Sequence, residues 1–262
     1  MKLLQEMKWK EAEKEIKETG VALIPVGASE QHGHHMPLGS DTYCPLEVAK
    51  RTAEREKAIV VPAIPYGISR CHMSFPGTIT LKTETLIRVV DDICESLFTH
   101  GIKKFILING HGHNNPILRT FMNEFKLKKG NDVYMFLTEW WIPGQKLTPE
   151  LWSTDPEDMP DGHAADVECS AMLAIKPDLV DMRKAEKVVL GALGNTEIKF
   201  SKSTSARLKD YPVDLSTISD FKQFTESGII GSAKNASKEK GEKVLDKAAD
   251  FFADLVKELK AI

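Results

Sequence analysis

Four cysteines in 262 residues, none in a CxxC pair, are too few and too scattered for a disulfide framework or a cysteine zinc finger. No uninterrupted apolar stretch approaches the ~20 residues of a membrane span. Met1 to Lys17 is studded with Lys and Glu, where a signal peptide would carry an apolar core. Positive charge is not in excess: the net charge of −3 lacks the basic field that non-specific nucleic-acid binding needs. There is no Walker lysine, internal repeat or low-complexity segment. What remains is the balance of a soluble globular protein, 42% hydrophobic and 28% charged. The expectation is a cytoplasmic protein with no membrane or nucleic-acid partner. Because α/β folds of about 250 residues often form one unit, residues 1–262 are expected to be a single domain.

The apolar rhythm alternates between short and long periods. Val21 to Val26, Ala58 to Pro62, Phe105 to Ile108 and Val133 to Leu137 are short apolar runs suited to strands buried on both faces. Between and after them, Thr42 to Arg55, Glu84 to His100, Pro116 to Lys128, Ala164 to Ile175 and Lys238 to Leu259 carry helical spacing. Strands separated by such helices predict βαβ units, and so a three-layer α/β/α fold with a mostly parallel sheet. Trp140 to Gly162 reads as a long loop, and loops of that length inside compact domains are usually functional. Val188 to Gly231, with its Tyr211-Pro212 pair, reads as polar and irregular.

In open α/β sheets ligands bind beyond the carboxyl ends of the strands. Those ends are crowded here with metal-ligand side chains. Glu30, His32, His34 and His35 follow the first strand, with Asp41 shortly after; His111 and His113 follow the third; His163, Asp166 and Glu168 open a later helix. Glu30 and His32 are two apart, so in extended backbone they point the same way. Oxygen and imidazole donors without sulfur suit Zn²⁺, Mn²⁺ or Fe²⁺ in a catalytic site. A carboxylate such as Asp41 can bridge two ions about 3.5–4 Å apart, and water on such ions can have a pKa near 7.

A single histidine at a strand end is more often a structural hydrogen-bonder than a ligand. Of eight histidines, however, six lie in these three clusters, and the joint pattern outweighs the individual expectation. At most one of His34 and His35 is expected to face the site. His72 suits either the pocket mouth or a plain loop role, and His100 suits the end of a helix. Gly27-Ala28-Ser29-Glu30-Gln31 lacks the final glycine of a nucleophile elbow, and Gly110 to Asn115 is not a GxGxxG loop. Cys44, beside a helix start, reads as a small buried hydrophobe.

Pro25 to His35 followed by Pro37-Leu38-Gly39-Ser40-Asp41 resembles the N-terminal signature of the creatininase family of creatinine amidohydrolases. The resemblance continues through Phe75-Pro76-Gly77-Thr78, Asn109-Gly110-His111, His163 to Glu168, Pro177 to Asp181 and Gly231 to Lys234, nearly the whole chain. It implies a three-layer α/β fold, a dinuclear metal centre and a cytoplasmic homo-oligomer, often a hexamer. By position, Glu30, His32, Asp41 and His111 resemble the metal ligands, with Asp41 bridging. Glu168 matches an acidic position near the metals, His163 a histidine that orients substrate or shuttles a proton, and Trp140 an aromatic pocket wall.

The chain also departs from that pattern. Creatininases carry Tyr-Glu after the Asn-Gly-His histidine, and the glutamate is a ligand; here Gly112-His113 stand there, so either His113 or Glu168 completes the second site. Where creatininases place a Trp-Asp pair and a Glu before the later histidine, this chain has Met159-Pro160 and Gly162; the side chains lost at Gly112 and Gly162 are expected to widen the pocket or free backbone for close approach. His113, Trp140 and His72 are accordingly the candidate substrate contacts, and His163 and Glu168 the candidate catalytic groups. The expected activity is hydrolysis of an amide C–N bond in a small polar, often cyclic, substrate other than creatinine. Two alternatives stand beside it: hydrolytic C–C opening of a cyclic keto-polyol, and a non-catalytic metal-dependent binding protein with a saturated ligand shell.

Overall fold

The computed structural model describes residues 3–155, 158–188, 220–223 and 225–262. Its centre is a four-stranded sheet of β1 (Val21–Val26), β2 (Ile59–Val60), β3 (Lys104–Asn109) and β4 (Tyr134–Glu139), ordered β2-β1-β3-β4 and parallel throughout. Successive side chains of β1 serve opposite faces. Val21 and Leu23 join one apolar core, and Ala22, Ile24 and Val26 the other. The first core is closed by α2 (Ser40–Arg55), α6 (Asp166–Ile175) and α7 (Lys238–Ala261) through residues such as Val48, Met172 and Phe252. The second is closed by α3 (Thr83–Thr99) and α4 (Asn115–Lys129) through Leu86, Val90, Phe121 and Phe125. This is the three-layer α/β/α arrangement that the alternating periods predict.

The strand order decides where a ligand can sit. The chain leaves β1 for β2 on one side, then crosses back to place β3 on the other. The loops after β1 and β3 therefore diverge at a topological switch point and leave a crevice between them. Glu30, His32 and His111 lie on those two loops.

Some elements escaped the sequence reading. Helix α1 (Trp9–Thr19) lies in the Lys/Glu-rich N-terminal segment, where only Ile16 and Thr19 are buried, too thin a stripe to show as periodicity. The expected loop from Trp140 to Gly162 contains α5 (Trp141–Lys146) and a 3₁₀ turn at Pro149–Leu151. Pro143 and Gly144 disguise α5 in the sequence. A Cβ on Gly144 would lie 2.6 Å from the Val244 carbonyl, so close packing against α7 requires the glycine. Most of Val188 to Gly231, including Tyr211-Pro212, lies outside the described residues. Its described part includes a 3₁₀ turn at Phe221–Gln223. Among the described residues no helix is long and apolar enough to cross a membrane.

Candidate metal centre

Close backbone approach places the central carboxylate. Asp41 lies in the first turn of α2, wedged against the ends of β1 and β3. A Cβ on Gly110 would lie 1.9 Å from the Asp41 carbonyl oxygen, and one on Gly27 would lie 2.4 Å from Thr42 Oγ1. Only glycine at both positions lets the two strand ends seat this turn. Pro45 offers no N–H to the Asp41 carbonyl four residues earlier, so the helix begins loosely where Gly110 packs. Asn114 ties the loops together, accepting from the Ile68 N–H and donating to the Gly27 carbonyl.

The two Asp41 oxygens face two different groups. Oδ1 lies 2.9 Å from His32 Nε2, which is also 3.8 Å from Glu168 Oε2. Oδ2 lies 3.2 Å from His111 Nδ1, which is also 3.2 Å from Glu30 Oε1. Ligand atoms thus converge as one trio of Glu30, Asp41 and His111 and another of His32, His163 and Glu168, with Asp41 reaching into both. The structure sets Glu168 beside His32. It groups His113 instead with Cys71, 3.6 Å from its Nδ1.

These groups fit divalent cations on structural grounds. His111 directs Nε2 at the Ile68 carbonyl, 2.9 Å away, and His32 directs Nδ1 at the Glu30 carbonyl, 3.1 Å away. A carbonyl can only accept, so each ring donates its N–H there. The other nitrogen of each ring is left facing carboxylates, a preset ligand orientation. Both Glu30 carboxylate oxygens and Asp41 Oδ2 are buried without a well-formed hydrogen bond, with His111 Nδ1 3.2 Å from Glu30 Oε1 and from Asp41 Oδ2. Buried carboxylates so sparsely paired cost several kcal/mol, and cations offset that cost.

The same crowding perturbs protonation. Burial opposes charge on His32, yet Asp41, Glu168 and Glu30 raise it to about 10. Burial likewise opposes charge on His111, and Glu30 and Asp41 overcome it, holding the ring well above its usual range. Burial lifts Glu168 to about 7. Burial, reinforced by the charge of His32, drops His163 to about 3. Opposed shifts on neighbouring groups in one cleft are the signature of an acid–base site.

Above the cluster opens a cavity of ≈ 410 Å³ lined by His72, His113, Trp141, His163, Glu168 and Phe221, among others. Here the structure departs from the expected wall. Trp140 is 1% exposed and packs in the core beside α7, whereas its neighbour Trp141 faces the cavity. Gly162 does not widen the pocket: its Cβ would lie 2.1 Å from the Ile230 carbonyl, so packing demands the glycine. Gly112, in contrast, has nothing within 4 Å of that position. His34 is exposed, and His35 is buried away from the cavity lining. Ala164 holds a left-handed φ of 57°, a strained conformation between His163 and α6 that turns its N–H onto Glu168 Oε2 at 2.7 Å. No sequence motif marks Gln31, Phe221 or Ile230 as a site residue. Phe221 and Ile230 sit in the stretch without periodicity, and Gln31 is polar but not a metal ligand.

A switch-point crevice holding paired trios of carboxylate and imidazole ligands defines a candidate dinuclear metal centre of hydrolytic type. The family model for creatininase, creatinine amidohydrolase, matches residues 5–256. The chain is 33% identical to the creatinine amidohydrolase of Pseudomonas putida, over 97% of this chain and 95% of that one. It is 25% identical to the 3-dehydro-scyllo-inosose hydrolase of Thermotoga maritima, over 97% of this chain and 82% of that one. The solved structure "Creatininase Mn" superposes with a TM-score of 0.75 at 32% identity, covering 98% of this chain and 97% of that one. The chain belongs to the creatininase family and is a metal-dependent hydrolase.

Proposed function

We propose that the chain hydrolyses an amide C–N bond in a small polar, often cyclic, substrate, using two divalent ions per subunit. Glu30, Asp41 and His111 would hold one ion, and His32, Asp41 and Glu168 the other; Zn²⁺ and Mn²⁺ suit these donors best, with Fe²⁺ compatible. The observation that carries this reading is the set of buried carboxylate oxygens on Glu30 and Asp41 without a well-formed hydrogen bond, facing two preoriented imidazole nitrogens. Bound ions of this kind polarise a carbonyl and supply an activated water near neutral pH.

The chain's own residues do the rest. His163 fixes Nε2–H on the Gln31 carbonyl at 2.8 Å, which leaves Nδ1 as an acceptor that can orient the substrate. Its lowered pKa keeps that nitrogen unprotonated. Glu168, with its carboxyl near 7, is the group placed to take a proton and return it to a leaving amine. His72, His113 and Trp141 form the substrate wall. The alternative that a relative supports is C–C opening of a cyclic keto-polyol, since the Thermotoga hydrolase acts on a dehydro-inosose.

The family match across residues 5–256 supports a single domain spanning 1–262. The motif resemblance supports a cytoplasmic homo-oligomer, with a hexamer favoured. Exposed Trp9 and Leu127 offer apolar surface for such contacts. The test is reconstitution with Zn²⁺ or Mn²⁺ and assay against creatinine, formamides, lactams and cyclic polyol ketones. Turnover of an amide other than creatinine is expected. Efficient creatinine turnover, near 10 s⁻¹, would overturn the substrate reading, and activity confined to the ketones would establish the alternative.

A further inference from the structure

Gln31 is locked by three partners. Its Oε1 accepts from the Gly33 N–H at 2.9 Å, and its Nε2 donates to the Gly228 carbonyl at 3.0 Å. Both partners are backbone groups, so only one orientation of the amide satisfies them. The same Nε2 lies 3.0 Å from His72 Nδ1. An amide nitrogen can only donate, so His72 Nδ1 must accept and the ring proton must sit on Nε2. That nitrogen lies 3.4 Å from Glu30 Oε1, a buried carboxylate oxygen without a well-formed hydrogen bond. Phe221 lies over the His72 ring at 4.3 Å and limits its rotation. The Gln31 main-chain carbonyl meanwhile takes the N–H of His163.

Resting on the metal-centre reading above, we propose that Gln31 and His72 form a positioning pair for Glu30. The Gln31 side chain fixes His72 as the Nε2–H tautomer, and His72 steadies the carboxylate that would hold the first ion. His72 is then not a metal ligand, although it lies within ligand range of Glu30 and His163, because its nearer nitrogen carries a proton. Outer partners of this kind typically contribute 10- to 100-fold in metal affinity.

The geometry supplies an internal control. A Gln31 side-chain substitution leaves the main-chain carbonyl that holds His163, so only His72 should change. Histidine-selective ¹⁵N NMR of the metal-free protein, with His72→Gln used to assign the signal, reads both tautomers. The wild type should show Nε2–H at His72 and at His163. Gln31→Glu, whose carboxylate accepts instead of donating, should move the His72 proton to Nδ1 and leave His163 unchanged. An Nδ1–H tautomer at His72 in the wild type would overturn the proposal, as would insensitivity to Gln31→Glu. Chelator competition for Zn²⁺ forms the second arm. His72→Phe should weaken the tighter-bound ion 10- to 100-fold, and His72→Gln, which keeps an N–H donor, should recover most of that loss. Equal loss in both variants would make His72 a ligand or a packing residue and overturn the positioning role. Wild type that binds no Zn²⁺ would defeat the metal-centre reading instead, while the tautomer result would still stand.

Discussion

Asp41 and His111 sit on backbone seated by Gly27 and Gly110 at the ends of adjacent parallel strands, where a methyl group of added bulk would collide. The cavity wall above them is assembled differently. Trp141 comes from a short helix interrupted by Pro143 and Gly144, Phe221 from a 3₁₀ turn, and His113 from the loop after β3. Gly112 in that wall has open space around it. The floor is therefore fixed by strand geometry, whereas the wall is fixed only where distant segments pack, as at Gly162 against the Ile230 carbonyl. In such a fold the chemistry is held constant by the sheet, while substrate choice is free to vary in the connecting segments.

The comparison breaks most visibly at its centre. Asp41→Ala should release both ions and lower activity by at least about 10³-fold, equivalent to ~4 kcal/mol. Glu30→Ala and His111→Ala should each empty mainly one position. Metal analysis of the purified variants distinguishes them, and two ions retained by Asp41→Ala would refute the bridge. The adjacent tryptophans give the next largest contrast. Trp140→Ala removes a fully buried ring and should cost about 3–5 kcal/mol of stability. Trp141→Ala removes a half-buried ring packed against the edge of that core, and should cost less stability than Trp140→Ala while raising KM.

The two glycines sharpen the contrast at smaller scale. Gly162→Ala drives a methyl into the Ile230 carbonyl and should destabilise by roughly 1–3 kcal/mol. Gly112→Ala should fall within about 0.5 kcal/mol of wild type while altering substrate preference. Thermal denaturation decides both, and equal losses would show that the wall is as constrained at Gly112 as at Gly162.

The smallest effect is graded with pH. In the metal-free protein His32, raised to about 10, and His111, also raised, hold protons at neutral pH. An incoming ion must displace them, so affinity should rise with pH, by up to tenfold per unit for each proton displaced. Chelator competition between pH 6.5 and 8.5 measures the slope, and a flat profile would contradict the protonated pairs.

Much of the floor was legible in the sequence because it rests on short-range geometry. Glu30 and His32 two apart, Asp41 at a helix start and His111 at a strand end each follow from the strand–loop–helix grammar. The wall was not, because it depends on packing between distant segments. Nothing local distinguishes Trp140 from Trp141 until the first is seen inside the core that α2, α6 and α7 close. Gly162 reads as a widened pocket until the Ile230 carbonyl appears beside it. Helix α1 leaves little periodicity because its buried stripe is only two residues wide, and α5 is disguised by a proline and a glycine. Gln31 carries no local signal because its hold on His72 requires Gly228, far along the chain.

Whether Asp41 joins two cation sites is decided by anomalous diffraction from crystals soaked in Zn²⁺. Two peaks are expected on opposite sides of the Asp41 carboxylate, one between Glu30 and His111 and one between His32 and Glu168. A single peak at Cys71 and His113, with none beside Asp41, would contradict the bridge.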